Sequence, residues 1–218
     1  MNNKKVPTLL GLGLVLVLVV AVAATTSVVQ KVTNLFSQAG SSIVPNSVGT
    51  ANLNDKGFTV YWTTQAPTLG SVSYGKTTSM ADGVAVDDRN LTTPNEKYVS
   101  HFVRVSGLAS NTNYYFNISG REETPLTITT LAGAPDKATV DPAFGKVSDI
   151  SGTAVPGGVA VLDVSGVGKS ATISKDDGSY VLPAIPQTAS GQSETVSFFY
   201  GADTATIACK VSQDRPLP

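Results

Sequence analysis

Histidine, cysteine and tryptophan each occur once in these 218 residues, methionine only twice, and charged residues make up 14% of the chain. Each scarcity argues against a class of function. With His101 as the one imidazole and no Gly-x-Ser-x-Gly elbow, a nucleophilic triad has a single ring to draw on for its base. Two-metal phosphoester hydrolysis needs several carboxylates and imidazoles around a pair of ions, which this histidine count does not supply. The one cysteine, Cys209, cannot staple its own chain and reads as a small hydrophobe on a terminal strand. A net charge of -1 without a block of like charges offers no stripe to neutralise phosphates, so no nucleic-acid partner is expected. The composition predicts a protein that is not an enzyme, without catalytic, cofactor-binding or metal-binding residues and without a cofactor.

What is abundant points to strands. Gly 20 and Pro 12, with much Val and Thr and 41% hydrophobic content, describe short strands joined by tight turns, in a chain long enough for two small cores. The expected fold class is all-β: two immunoglobulin-like β-sandwich domains preceded by a single N-terminal transmembrane helix.

That helix is read from the stretch between Val6 and Gln30, which carries no charge and follows Lys4 and Lys5. About 20 apolar residues span a hydrocarbon core, and lysines ahead of them keep the N-terminus cytoplasmic. Two readings stand. Ala21-Val22-Ala23 has the small residues of a processing site, whereas the run exceeds the roughly 7 to 15 residues of a signal-peptide core and continues at helical spacing through Val28, Val29, Val32, Leu35 and Phe36. The length favours a retained anchor. The expected divisions are a cytoplasmic N-terminus at 1–5, a transmembrane signal-anchor helix at 6–29, a membrane-proximal helix and linker at 30–44, a first sandwich at 45–131, a second at 137–212, and a disordered tail at 213–218.

Period-two alternation predicts strands at 47–53, 58–64, 71–74, 84–86, 97–106, 114–119 and 126–130 in the first sandwich. In the second it predicts 143–148, 159–164, 170–174, 179–182, 195–200 and 205–211, with Lys175-Asp-Asp-Gly178 as a hairpin turn.

Phe58-Thr-Val-Tyr-Trp62-Thr-Thr, Gly70-Ser-Val-Ser-Tyr74-Gly75, His101, Val103-Arg-Val105-Ser-Gly-Leu108 and Thr112-Asn-Tyr114-Tyr-Phe lie in the order seen in fibronectin type III domains. The segment from Pro45 to Leu131 resembles that family, especially the variant at the N-terminus of purple acid phosphatases. Leu108, Thr112 and Tyr114 match a tyrosine corner, whose phenol oxygen bonds back to the preceding turn. Gly145-Lys-Val-Ser-Asp-Ile-Ser-Gly152, Gly158-Val-Ala-Val-Leu162 and Asp176-Asp-Gly178-Ser-Tyr180-Val-Leu-Pro183 resemble, more loosely, the carboxypeptidase regulatory-like domain, a transthyretin-like sandwich. That resemblance implies a non-catalytic accessory. With the anchor, the pair resembles bacterial surface proteins.

The remaining motifs read as structural. Ser165-Gly-Val-Gly168-Lys169-Ser170 ends like a phosphate-binding loop, but Asp163 stands where the loop needs its first glycine, and a strand follows instead of a helix. The acid pairs Asp87-Asp88, Glu122-Glu123 and Asp176-Asp177 fall in turn-like contexts and read as solvated loops. His101 reads as a hydrogen-bonded edge residue. Lys146 has no asparagine downstream for an isopeptide link. The expected function is a non-catalytic, membrane-anchored module on the extracellular side, acting as a cell-surface structural or interaction element. Two alternatives stand beside it: a glycan- or peptide-binding module, and an accessory protein partnering a separate hydrolase. The expected partners are the membrane and a protein or cell-wall glycan, with recognition through the loop from Met80 to Asn95 or a row of Tyr74, Tyr98 or Tyr115.

Overall fold

Phe58-Thr-Val-Tyr-Trp62-Thr-Thr64 sets the architecture, because both faces of this strand are buried. In the computed structural model, which describes residues 43–121, 124–213 and 216–217, β2 (Gly57–Thr68) lies between β1 (Asn46–Ala51) and β5 (Tyr98–Ser106). The facing sheet has the order β4-β3-β6-β7, from β3 (Ser71–Gly75), β4 (Gly83–Val86), β6 (Asn113–Ile118) and β7 (Leu126–Thr129). Between them Phe58, Val60 and Trp62 pack with Val72, Val103, Val105, Leu108, Tyr114, Phe116 and Ile118. Seven antiparallel strands in two sheets is the sandwich expected from the alternation, and its strand boundaries lie close to the sequence reading.

The second set of strands follows the same logic. A sheet in the order β10-β9-β12-β13 is built from β9 (Val159–Val164), β10 (Gly168–Ile173), β12 (Ser193–Tyr200) and β13 (Asp203–Lys210). It covers a two-stranded sheet of β8 (Ala143–Lys146) and β11 (Ser179–Leu182). Ala160, Leu162, Val164, Leu182, Val196, Phe198 and Cys209 form the core between the two sheets, so Cys209 is buried as expected for a small apolar side chain.

The opposite parity of these strands makes a third layer. Ala51, Tyr61 and Phe102 from the first sandwich pack on Val159, Val161 and Ala171 from the second, and Tyr61 stacks on Phe199 with ring centroids 5.8 Å apart. The four sheets are thus stacked face on face around three apolar layers, within a single unit running from Ile43 to Pro218. Burial on both faces removes the polar-out half of the usual alternation. This is why Tyr61 and Phe102 interrupt it.

Several expectations need correction. Among the described residues, no helix is long and apolar enough to cross a membrane. The 3-10 turn at Asp88–Leu91 has 4 residues, about 8 Å at the rise of such a turn, against roughly 30 Å of hydrocarbon. The segment read as an anchor, 6–29, lies outside the described residues, as do 1–5 and 30–42 of the linker. Among the described residues the fold class is accordingly all-β sandwiches with no transmembrane helix, and the single-pass, extracellular membrane placement is not supported. Lys175 to Gly178 does form a tight turn, with Gly178 at φ +77° and its N–H donating to Lys175 O, but it joins different sheets. β11 pairs with β8, so the turn is not the hairpin expected. In the tail read as disordered, Leu217 is buried in the second core and its N–H donates to Phe144 O at 2.8 Å.

Candidate functional site

The described titratable groups most deeply enclosed lie where β5 would otherwise present a bare edge. β5 has β2 on one side only, and unpaired strand amides are costly unless something accepts from them. Three consecutive side chains after β4 supply the missing partners. Asp87 Oδ2 accepts from Phe102 N–H at 3.0 Å, Asp88 Oδ1 from Arg104 N–H at 3.2 Å, and Arg89 Nη2 donates to Ser100 O. The solvated pair expected at Asp87-Asp88 does not form. Asp87 is instead fully buried, because its carboxylate substitutes for a neighbouring strand.

Asp87 and Arg89 form a forked ion pair, Nε to Oδ1 at 2.8 Å and Nη2 to Oδ2 at 2.9 Å. Burial pushes the Asp87 carboxyl up, but the Arg89 hydrogen bonds, the nearby His101 ring and the Phe102 N–H outweigh it and hold the group well below the usual carboxylate range. The guanidinium also lies 3.6 Å over the Tyr98 ring and donates from Nη1 to Gly157 O of the second sandwich at 3.0 Å. One arginine therefore seals a carboxylate, covers an aromatic ring and joins the two lobes.

His101 lies on β5, the edge strand of its sheet. It sits in mid-strand opposite Trp62, fully buried, its ring stacked on the indole at 4.7 Å and 18°. Nε2 lies 3.0 Å from Thr68 Oγ1, while Nδ1 is 3.7 Å from Asp87 Oδ2 and makes no hydrogen bond. Gly70 covers the ring; a Cβ there would collide with His101 Nδ1 and come 3.1 Å from Trp62 Cζ2. The imidazole is thus enclosed by Trp62, Gly70 and Thr68 and held through Nε2.

The other candidates scatter. Lys146 pairs with Asp177 at 3.5 Å on the surface, with 69% and 59% of their side chains exposed, in solvent instead of the dry core an isopeptide link requires. Asp177 Oδ1 accepts from Ser179 N–H in the turn. Gly166 and Gly168 form the tight β9–β10 turn, and Lys169 turns back to Asp163 at 2.7 Å. Glu122 and Glu123 lie outside the described residues. Tyr74 packs against the first core, Tyr98 lies under Arg89, and Tyr115 stands on the opposite face of β6 from the buried Tyr114. They form no row. In the segment from Met80 to Asn95, the expected recognition loop, Asp87, Asp88 and Arg89 cap β5. The expected membrane, protein or glycan partners are not supported: the tyrosines share no face, and no membrane-crossing helix is present among the described residues.

The tyrosine corner is formed as the resemblance implied, with Tyr114 Oη accepting from Ala109 N–H at 3.0 Å. Two grooves flank the join between the lobes, one of about 780 Å³ lined in part by Asn52, Arg104, Pro135 and Lys169, the other of about 430 Å³ bordered by Arg89, Tyr98 and Tyr200. Asn52 is not available to a ligand in the first. Its N–H donates to Lys169 O, its Nδ2 to Ala171 O at 3.0 Å, and its Oδ1 accepts from Ala171 N–H at 3.0 Å, so it caps the edge of β10. Among the described residues no group of three or more His, Cys, Asp or Glu side chains is placed to hold a metal ion. Sequence reasoning missed both caps, because a capping side chain is identified only by the strand edge it meets.

No protein-family model matches the chain, and no curated protein matches it. Among solved structures it is similar to a crystal structure of chicken CNTN1 FN1-FN3 domains, at 14% identity over 78% of this chain and 66% of that one, with a TM-score of 0.29. It spans just under two thirds of that structure's length, and the likeness to fibronectin-type domains is weak and of low identity.

Proposed function

We propose that the described unit is a non-catalytic structural module, a two-lobed β block whose task is to keep its shape. The observation that carries this reading is the use made of Asp87, Arg89 and His101. These groups have the chemistry for acid–base work, yet their hydrogen-bonding capacity goes into sealing the edge of β5, packing under Trp62 and reaching Gly157 in the other lobe. A catalytic carboxylate must face a space where a substrate can sit. In this proposal the first lobe is of the purple acid phosphatase N-terminal type and the second is regulatory-like, a reading supported by the Tyr114 corner and by the positions of the strands. The resemblance of the second lobe implies an accessory, non-catalytic domain.

Rigidity is what such a module must supply. Residual dipolar couplings measured on amides of β2 and β5, and separately on β9 and β12, should fit one alignment tensor. Two distinct tensors would show lobes that swivel and would contradict the proposal, as would release of phosphate from phenyl phosphate that disappears in His101→Ala.

A further inference from the structure

Among the described residues every long strand edge but one is blocked, and the exception is β13. The edge of β5 is capped by Asp87, Asp88 and Arg89, and that of β10 by Asn52. β1 is interrupted by a register shift between Asn46 and Gly49. β4 and β7 have 4 residues each, and β8 bridges to Leu217. These are the devices by which sheets avoid adding a foreign strand. β13 has none of them: 8 residues, Asp203–Lys210, with no proline, no bulge and no charge between its two ends, at the margin of a four-stranded sheet.

Its backbone polarity can be read from one end. Val211 N–H donates to Gln192 O and Val211 O accepts from Gly191 N–H, so this residue directs both groups toward the β12 side. By the alternation of an antiparallel ladder, Thr204, Thr206 and Ala208 direct theirs away from β12, and all three residues are exposed. We propose that this edge pairs antiparallel with the same edge of a second copy of the chain, on a twofold axis through Ile207. The register is self-complementary: Thr206 faces Ala208 of the other copy and exchanges two backbone hydrogen bonds with it, twice by symmetry. Ile207 faces its own counterpart as a non-hydrogen-bonded pair, where side chains approach most closely, and Ala205 faces Cys209. No like charges are opposed, and a net charge of -1 gives little long-range repulsion between copies. The outcome is one eight-stranded sheet across the dimer.

Two measurements on the full chain test this. Sedimentation velocity should give a dimer for the native protein and a monomer for Thr206→Pro, which deletes an outward N–H without touching the β12 ladder, while the Trp62 emission stays unchanged. In a Cys209→Ser background, mild oxidation should link Ile207→Cys chains into covalent dimers and leave Thr204→Cys chains, whose register partner is Lys210, unlinked. A monomeric native protein, a Thr206→Pro dimer, or equal cross-linking at 204 and 207 would overturn the proposal.

Discussion

Replacing Asp87 with alanine is expected to destabilise the fold by about 3–5 kcal/mol, the cost of removing one partner from a buried ion pair. The variant loses both arms of the Arg89 fork, strands the Phe102 N–H at a closed edge, and leaves the guanidinium without the carboxylate it grips. Asp87→Asn retains an acceptor for Phe102 and should lose less. Asp176→Ala, in an exposed turn, should stay within roughly 0.5 kcal/mol. Urea unfolding followed by Trp62 emission reads all three, and an Asp87→Ala loss below about 1 kcal/mol would contradict the edge-cap assignment.

The same carboxylate sets the acid response. Its folded pKa lies well below the ordinary aspartate value of 3.8, so its contribution is complete above that pH and is lost as pH falls from there through the folded value. Stability measured downward from pH 4 should therefore decline less steeply in Asp87→Asn than in the native protein. Equal slopes would assign the decline to other groups.

Trp62→Ala is expected to cost about 3–5 kcal/mol, the range for removing a large aromatic side chain from a packed core. Trp62 is 1% exposed, packs with Phe58, Val60 and Val103, and carries the His101 ring on its face. Its loss opens a cavity and also releases the imidazole that Gly70 and Thr68 enclose. Trp62→Phe keeps an aromatic surface beneath His101 and should recover at least half of the loss. Guanidinium unfolding followed by far-ultraviolet circular dichroism checks both, since the tryptophan signal is gone; a Trp62→Ala loss under about 1 kcal/mol would mean that the first core is organised around other residues.

The strands were legible because alternation is a local property. Phe58, Val60 and Trp62 share a parity, and so do Tyr114, Phe116 and Ile118. The stacking of the lobes was not, because Tyr61 and Phe102 occupy the parity that usually faces water, and what covers them lies far along the chain at Val159, Val161 and Phe199. A signal was present all the same. Val60-Tyr61-Trp62 and Phe102-Val103 place large apolar side chains on both faces of adjacent strands, which is the mark of a sheet covered twice. Asp87 and Asn52 carried no such signal, since acid pairs and asparagines are ordinary turn residues and only the edges they meet distinguish them. Leu217, flanked by Pro216 and Pro218, was hidden by the proline content of its surroundings.

The fusion of the two lobes is tested most directly by following unfolding at one residue in each. Trp62 is the single tryptophan and lies in the first core, while Cys209 is the single cysteine and is buried in the second. With the join through Tyr61, Phe102, Arg89 and Asn52 intact, tryptophan emission and thiol labelling should give the same urea midpoint and the same slope. Two separated midpoints would show sandwiches that unfold independently and would contradict a single structural block.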